Sequence, residues 1–141
     1  ADVTQRFREG PQGRYRRHWA MIEVSGQRYT GAVHVDGVAV VSFHGVLLSP
    51  DQPTPPDCEE AGEYDHPVNY LQEITTQPQY RRRGLMREAI DELVDTFGLP
   101  VVIYPLPLQD ADATPDEINQ LRAVYRRCGF ADAGALMKLG A

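Results

Sequence analysis

The sequence of 141 residues has little cysteine, almost no lysine and no long apolar run. Its two cysteines, Cys58 and Cys128, are too few and too far apart for a disulfide framework or a paired-cysteine motif. No run approaches the roughly 18 apolar residues that a membrane span needs, and the polar N-terminal residues contain no signal-like apolar stretch. We therefore expect a cytoplasmic protein with free thiols and no membrane partner.

Arginine carries nearly all of the positive charge. It accounts for 13 of the 14 basic residues, and Lys138 is the only lysine. The arginines concentrate in the segments 6–17, 81–87 and 122–127. The formal net charge is −6, which argues against a protein whose main task is to hold nucleic acid. A cationic small molecule or a peptide amine suits this charge better as a partner.

Motifs of several other enzyme classes are also missing. The chain has no nucleophile-elbow, Walker or dinucleotide-binding glycine pattern, so hydrolase, nucleotidase and dinucleotide-dependent functions have no support. It has no zinc-type spacing of histidine and cysteine, and we expect no metal. A two-residue turn at Asp36-Gly37 would pair Val33 with Val40. That register would place His34 and His44 on opposite faces of a sheet, apart from any shared site.

The apolar pattern predicts one α/β (α+β) domain covering residues 1–141. Predicted strands are 19–25, 28–35, 38–48, 68–76, 101–104 and 135–139, and predicted helices are 84–97 and 114–128. The early strands should form an antiparallel meander, whereas the strand–helix–strand unit 68–104 should be parallel with a right-handed crossover. We expect a mixed, mostly antiparallel central sheet with helices on its faces.

Two segments show no sustained periodicity of apolar residues. Residues 1–18 are Arg-rich and predict an extended arm or a short helix that docks late. Residues 49–67 contain five prolines and six carboxylates but few apolar side chains. Such a segment cannot bury enough surface to form a core element, so we expect a long, mobile, acidic loop.

A basic turn with a glycine, Arg81-Arg82-Arg83-Gly84, lies between the predicted strand 68–76 and the helix 84–97. The first turn of a helix has unpaired N–H groups and a partial positive charge, so a phosphate bound there gains several hydrogen bonds. Gly84 allows close approach of the backbone, and the arginines add positive charge. This turn is therefore a predicted anion site.

Two motifs resemble the GNAT family of N-acetyltransferases. The segment from Arg81 to Leu85 matches the family's cofactor loop, Arg/Gln-x-x-Gly-x-Gly/Ala, and Met86 stands where the family has a small residue. About forty residues later, Tyr125-Arg126-Arg127-Cys128-Gly129-Phe130 resembles the Tyr-x-x-x-Gly-Phe that ends a family helix. The resemblance spans residues 70–139, about half of the chain, and rests on both motifs in the right order.

The resemblance implies an enzyme that moves an acetyl group from acetyl-CoA to a primary amine of a small molecule, a peptide or a protein. The residues that would hold the CoA pyrophosphate are Arg81, Arg82, Arg83, Gly84, Leu85 and Met86. The backbone that would bind the pantetheine arm and the thioester carbonyl belongs to Ile74, Thr75 and Thr76. Tyr125 matches the family's general acid, and Asn119 is near an asparagine that the family has in its last helix.

The base that deprotonates the amine has three candidates in the strand 68–76, namely Glu73, Gln72 and Tyr70. A free alkylamine has a pKa of about 10.4, so it must lose a proton before it attacks. Strand alternation puts Ile74, Gln72 and Tyr70 on one face, with Glu73 on the other unless a bulge intervenes. Proton removal would then run through water, or through Glu73 if the strand bulges.

The resemblance leaves the acceptor side undecided. The family has two helices between its first two strands, where this chain has only Ser25-Gly26-Gln27, so the fold should have reduced N-terminal helices. The acceptor site would be open, or covered by the 49–67 loop and the Arg-rich arm. We expect the acidic loop to help recruit a cationic acceptor.

Two other interpretations remain open at this stage. One is a non-catalytic acyl-CoA-binding or protein-interaction domain with the same fold. The other makes residues 6–17, with Phe7, Tyr15 and Trp19, an arm that contacts nucleic acid, which the net charge of −6 disfavours. The sequence is also compatible with a homodimer, whichever function applies.

Overall fold

The computed structural model describes residues 2–8, 18–105 and 114–140, with side chains described for the latter two ranges. The strands are β1 Asp2–Arg8, β2 His18–Ser25, β3 Arg28–Val35, β4 Val38–Leu48, β5 Val68–Thr76, β6 Val101–Ile103, β7 Ala131–Ala133 and β8 Leu136–Leu139. The helices are α1 Leu85–Phe97 and α2 Pro115–Arg127, with short 3-10 turns at Pro56–Ala61 and Pro78–Tyr80. No helix in these ranges is both long enough and apolar enough to cross a membrane.

The strands form one sheet in the order β1-β2-β3-β4-β5-β6-β8-β7. Among the described strands only β5 and β6 pair in parallel, and they are connected through α1. The prediction of a mixed, mostly antiparallel sheet with helices on its faces is therefore confirmed. The direct β2–β3 turn at Gly26-Gln27 also confirms the reduced N-terminal helices.

Residues 2–8 take the extended one of the two conformations predicted for the Arg-rich segment, an extended arm or a short helix. They form the edge strand β1, which pairs antiparallel with β2 from Asp2↔Val24 to Arg8↔His18. The exposed edge of β2 offers unpaired N–H and C=O groups, which a neighbouring extended segment satisfies. The remainder of the predicted arm, 9–17, lies outside the described residues.

Helix α1 covers one face of the sheet, which we call the core face. Its side chains Leu85, Ala89, Ile90 and Leu93 are buried at helical spacing, and burial of each large apolar side chain contributes about 1.5–3 kcal/mol. The helix ends at Gly98, whose φ of 64° is left-handed and whose N–H donates to the Val94 carbonyl. The main core thus lies between α1 and the strands β2 to β6.

The 49–67 loop contradicts the prediction that it adds no core element. Its 3-10 turn buries Cys58 and Ala61 on the second face of the sheet, against Val46, Val68 and Val102. The prediction failed because the loop's few apolar residues meet an apolar sheet surface that belongs to distant strands. Residues 56–61 are therefore part of a second, smaller core.

Two β-bulges change which side chains share a face. One lies in β4 at Val40, because Val33 pairs with Val41 while His34 pairs with Ala39. The predicted Val33–Val40 pairing is therefore wrong. Since Thr30 pairs with His44, and Thr30 and His34 alternate to the same side of β3, His34 and His44 share the second face.

The second bulge lies in β5 at Gln72. His44 pairs with Glu73, whereas the next residue of β4, Gly45, pairs with Leu71. The extra residue places Glu73 and Tyr70 on the same face, which simple alternation would not allow. The structure therefore adopts the bulged arrangement that the sequence left open.

Candidate functional site

The pairing of β5 with β6 stops before β5 ends, and we call the space beside the unpaired part of β5 the β5–β6 cleft. The two strands pair only through Asn69↔Val101, Tyr70↔Val102 and Leu71↔Ile103, and β6 ends at Ile103, shortly before Pro105, which has no N–H to donate. Within the described ranges, residues 72–76 of β5 therefore have no strand partner on this side. An extended ligand with amide groups could pair with that free edge as an added strand.

The turn predicted to bind an anion lies at the end of this cleft, where the chain passes from β5 into α1. Gly84 caps α1 with a left-handed φ of 78°, and it has no side chain to accept from the first N–H groups of the helix. Leu85 is buried and Met86 packs against the main core. Their side chains therefore leave the helix N-terminus open to an anion.

The three arginines of the turn are exposed around this helix end. Arg81 donates through Nε to the Thr76 carbonyl at 3.4 Å, which holds the turn against the end of β5. Arg82 has a left-handed φ of 63°, and the guanidinium of Arg83 lies 5.6 Å from the centre of the Tyr80 ring. This geometry concentrates positive charge where a phosphate would meet the N–H groups of α1.

Tyr125, the candidate acid, lies at the C-terminal end of α2. Its ring is buried and packs 5.9 Å from the Phe130 ring. The chain folds back after the helix because the N–H groups of Cys128 and Phe130 both donate to the Tyr125 carbonyl. Burial, together with the smaller effects of nearby Cys128 and Glu73, raises the pKa of Tyr125 to about 12. The phenol therefore keeps its proton at neutral pH.

Glu73 and His44 form a pair on the second face of the sheet. The His44 Nε2 lies 3.0 Å from the Glu73 Oε2, and both side chains are partly exposed. Sequence reasoning missed His44, because it becomes the cross-strand neighbour of Glu73 only once Gln72 is recognised as a bulge. The pair offers a carboxylate and an imidazole that could take a proton from an amine.

No family model and no curated protein matches the sequence, but solved structures do. YhhK of E. coli, a proposed N-acetyltransferase bound to coenzyme A, is 12% identical with a TM-score of 0.55, over 84% of this chain and 76% of that chain. The aminoglycoside 6′-N-acetyltransferase AAC(6′)-IG of Acinetobacter haemolyticus is 18% identical with a TM-score of 0.53, over 78% of this chain and 67% of that chain. The aminoglycoside N-acetyltransferase AAC(6′)-Iy in complex with CoA is 18% identical with a TM-score of 0.51, over 78% of this chain and 64% of that chain. The chain has the GNAT N-acetyltransferase fold.

Two further candidate bases in this GNAT fold, Tyr70 and Gln72, hold the 49–67 loop in place. Tyr70 is buried, its hydroxyl donates to Glu60 at 2.5 Å, and burial raises its pKa, so the phenol stays protonated. Gln72 donates through Nε2 to Asp57 at 3.2 Å. Neither side chain is placed to accept a proton as readily as Glu73.

Asn119 is exposed on α2, six residues before Tyr125 and therefore about 120° around the helix axis from it. Its assignment to the cofactor stays a prediction. Among the residues with described side chains, no group of histidine, cysteine and carboxylates is placed to hold a metal ion.

A bidentate ion pair fixes the 49–67 loop to the GNAT sheet. Arg28 donates to Asp57 through both terminal nitrogens, at 2.7 and 3.0 Å. The Arg28 and Gln72 hydrogen bonds hold the pKa of Asp57 well below its usual range. Because this carboxyl is more acidic in the folded state, the pair is present at neutral pH and is lost only in strong acid.

Opening of this loop should be measurable at Cys58. The thiol is buried, and burial raises its pKa to about 11, so we expect slow reaction with a thiol reagent at pH 7.5. In a Cys128→Ser background, Arg28→Gln should accelerate labelling about threefold, because it removes an exposed ion pair from the closed state. Arg126→Gln breaks the equally exposed Arg126–Asp132 pair on α2 and should leave the rate unchanged. Equal rates in both variants would contradict a role for Arg28 in holding the loop.

Proposed function

We propose that the protein is an acetyl-CoA-dependent N-acetyltransferase that acts on a primary amine. The observation that carries the proposal is the continuous path along the β5–β6 cleft. It begins at the N-terminus of α1 with its arginines and follows the unpaired edge of β5 at 72–76. Tyr125 belongs to the main core and is close enough to Glu73 for that carboxylate to raise its pKa, while the His44–Glu73 pair lies on the second face.

The pyrophosphate of CoA would bind the N–H groups at the start of α1 together with Arg81 to Arg83. Its pantetheine arm has amide groups, which would pair with the free edge of Ile74 to Thr76 as a short added strand. Two of the structurally similar proteins are described with CoA bound, which supports this cofactor.

The reaction needs a base and an acid on two sides of the thioester. Glu73, oriented by its hydrogen bond to His44, would accept a proton from the protonated amine. The neutral nitrogen then attacks the thioester carbonyl, forming the C–N bond while the C–S bond breaks, and the nitrogen releases its second proton to solvent to give the amide. As the C–S bond breaks, the Tyr125 hydroxyl donates its proton to the departing sulfur, so that CoA leaves as the thiol. Solvent returns a proton to the tyrosine.

A binding measurement and a turnover assay test the proposal together. Calorimetry should show that the protein binds acetyl-CoA, and free-thiol release should then report turnover with a panel of primary amines that includes an aminoglycoside. The aminoglycoside belongs in the panel because two of the similar structures are aminoglycoside N-acetyltransferases. Binding without thiol release on any amine would overturn the enzyme proposal in favour of a non-catalytic acyl-CoA-binding domain.

Glu73→Gln should lower kcat/KM about tenfold at pH 7. The loss is moderate because the Glu73 side chain is one-third exposed, so water can accept the proton in its place. The defect should shrink as the pH rises towards 10, because the amine then loses its proton without help. The measurement is a pH profile of kcat/KM from pH 6 to 10.

Asp91→Asn is the matched control for this substitution, because it removes one exposed carboxylate from α1 on the core face. It should leave the pH profile unchanged. A Glu73→Gln defect that is equally large at every pH would contradict the role of Glu73 as a base.

A further inference from the structure

The second face of the sheet carries no helix over β2, β3 and the first half of β4 in the described part of the chain. The 3-10 turn of the 49–67 loop covers only the other end, around Val46, Leu48 and Val68. Between β2 and β3 the chain makes a two-residue turn, so nothing from that connection shields this face. The side chains on this face of β2, β3 and the first half of β4, which a covering helix would bury, are therefore accessible to solvent.

A line of side chains crosses this face and ends at the proposed base. Glu23 pairs with Thr30, Thr30 pairs with His44, and His44 pairs with Glu73. Cross-strand partners point to the same side of a sheet, so these four residues form what we call the Glu23–Glu73 row. Neighbouring strands are about 4.8 Å apart, which places the two carboxylate positions roughly 14 Å from each other.

A shallow concavity of about 250 Å³ lies at the Glu23 end of the row. Its lining residues are Met21, Glu23, Thr30, Gly31, Ala32 and His34. The Trp19 ring stacks on His34 with 3.9 Å between ring centroids, so the aromatic pair borders the concavity. Burial lowers the pKa of His34, which keeps its ring neutral at pH 7 and leaves Glu23 as the charged group of the lining.

The chemistry of this surface selects among amine acceptors. The floor of the concavity at the Glu23 end, made by Met21 and Ala32, is apolar and suits methylene groups. The backbone groups beneath it are already paired in the sheet ladder, so they are not available to a peptide or a polyhydroxylated sugar that needs many hydrogen bonds. Exposed carboxylates at both ends favour a cation at each end of the ligand.

We propose that the Glu23–Glu73 row binds a linear polyamine as the acetyl acceptor. One ammonium group pairs with Glu23, and the methylene groups next to it contact Met21 and Ala32 at the edge of the concavity. The chain then passes over Thr30, and the terminal amine reaches His44 and Glu73. The two nitrogens would be about 10 to 14 Å apart, given the strand spacing. This inference rests on the proposed acetyltransferase function and adds the class of its acceptor.

The test compares spermidine, hexylamine and a short lysine peptide as acceptors, with thiol release from acetyl-CoA as the readout. Spermidine should have a kcat/KM at least tenfold above that of hexylamine. Glu23→Gln should lower kcat/KM for spermidine about fivefold, mainly through KM, and leave hexylamine unchanged, because only spermidine has a second cation for this exposed carboxylate. The spermidine KM should also rise with ionic strength.

Asp91→Asn, on the opposite face, controls for the loss of one negative charge, and equal melting temperatures confirm that Glu23→Gln folds. Equal kcat/KM for spermidine and hexylamine, with no effect of Glu23→Gln, would overturn the polyamine inference while the enzyme proposal stands. A lysine peptide that reacts faster than spermidine would overturn it in favour of a peptide acceptor. Binding of acetyl-CoA without turnover on any amine would overturn the proposed function itself, and this inference with it.

Discussion

Replacing Tyr125 with phenylalanine is expected to lower kcat at least a hundredfold. The hydroxyl is the group that we assign to protonation of the CoA thiolate, and loss of a positioned acid typically costs a factor of 10² to 10⁴. The effect should exceed that of Glu73→Gln because Tyr125 is buried while Glu73 is partly exposed. Water therefore cannot replace the phenol as it can replace the carboxylate.

The pH dependence of activity, together with binding and stability measurements, separates a catalytic role of Tyr125 from a packing role. Because the pKa of Tyr125 is raised to about 12, the wild-type phenol stays protonated up to pH 10, and activity should not fall on the alkaline side below that pH. The substitution should leave acetyl-CoA affinity and the melting temperature nearly unchanged, since the ring still packs against Phe130.

Tyr64→Phe provides the matched control, because Tyr64 is a partly buried tyrosine in the second core, away from the cleft. It should retain wild-type kcat. If Tyr125→Phe turned over acetyl-CoA at the wild-type rate, the assignment of Tyr125 as the acid would be wrong. A fall in kcat that accompanies an equal loss of folded protein would point to packing instead.

Replacing Gly45 with alanine should lower the free energy of unfolding by about 3 kcal/mol, more than any other substitution that we propose. A Cβ at this position would overlap the Tyr29 hydroxyl and the Tyr70 carbonyl oxygen, and overpacking of a buried site typically costs 1–3 kcal/mol. Tyr29 cannot move away freely, because its hydroxyl donates to the buried Asn69 at 2.6 Å. Breaking that hydrogen bond adds the cost of an unsatisfied buried polar group.

Urea unfolding followed by fluorescence measures this loss, which corresponds to a fall in Tm of roughly 10 °C for a chain of this size. Activity should also decline, because Gly45 lies opposite the Gln72 bulge that sets the face of Glu73. Ser42→Ala, at an exposed position of the same strand, should change the free energy of unfolding by less than about 0.5 kcal/mol. A Gly45→Ala protein as stable as wild type would show that the Tyr29 ring has room to move.

Most of the regular elements follow from local sequence. Strands β3, β4 and β5 have the predicted bounds, because their apolar runs end at strong turn residues such as Asp36-Gly37. Helix α2 begins where Thr114 accepts a hydrogen bond from the Glu117 N–H, as its capping pattern predicts.

Elements that depend on distant partners were not predictable in this way. The strand β1 needs the free edge of β2, and the 49–67 loop needs Arg28, which lies 29 residues before its partner Asp57. The short strand β7 was missed because its three residues are exposed and depend on pairing with β8. In each case the stabilising contact is invisible to a pattern read along the chain.

The sequence by itself determined most of the strands and both helices, the basic turn from Arg81 to Gly84 before α1 and the position of Tyr125 at the end of α2. Only the tertiary structure decided that Glu73 faces His44 and shares a face with Glu23. The reason is the bulge at Gln72: one extra residue in β5 moves every following side chain to the other face, and its position is set by the pairing with β4. Periodicity within a single strand cannot reveal a register that a neighbouring strand imposes.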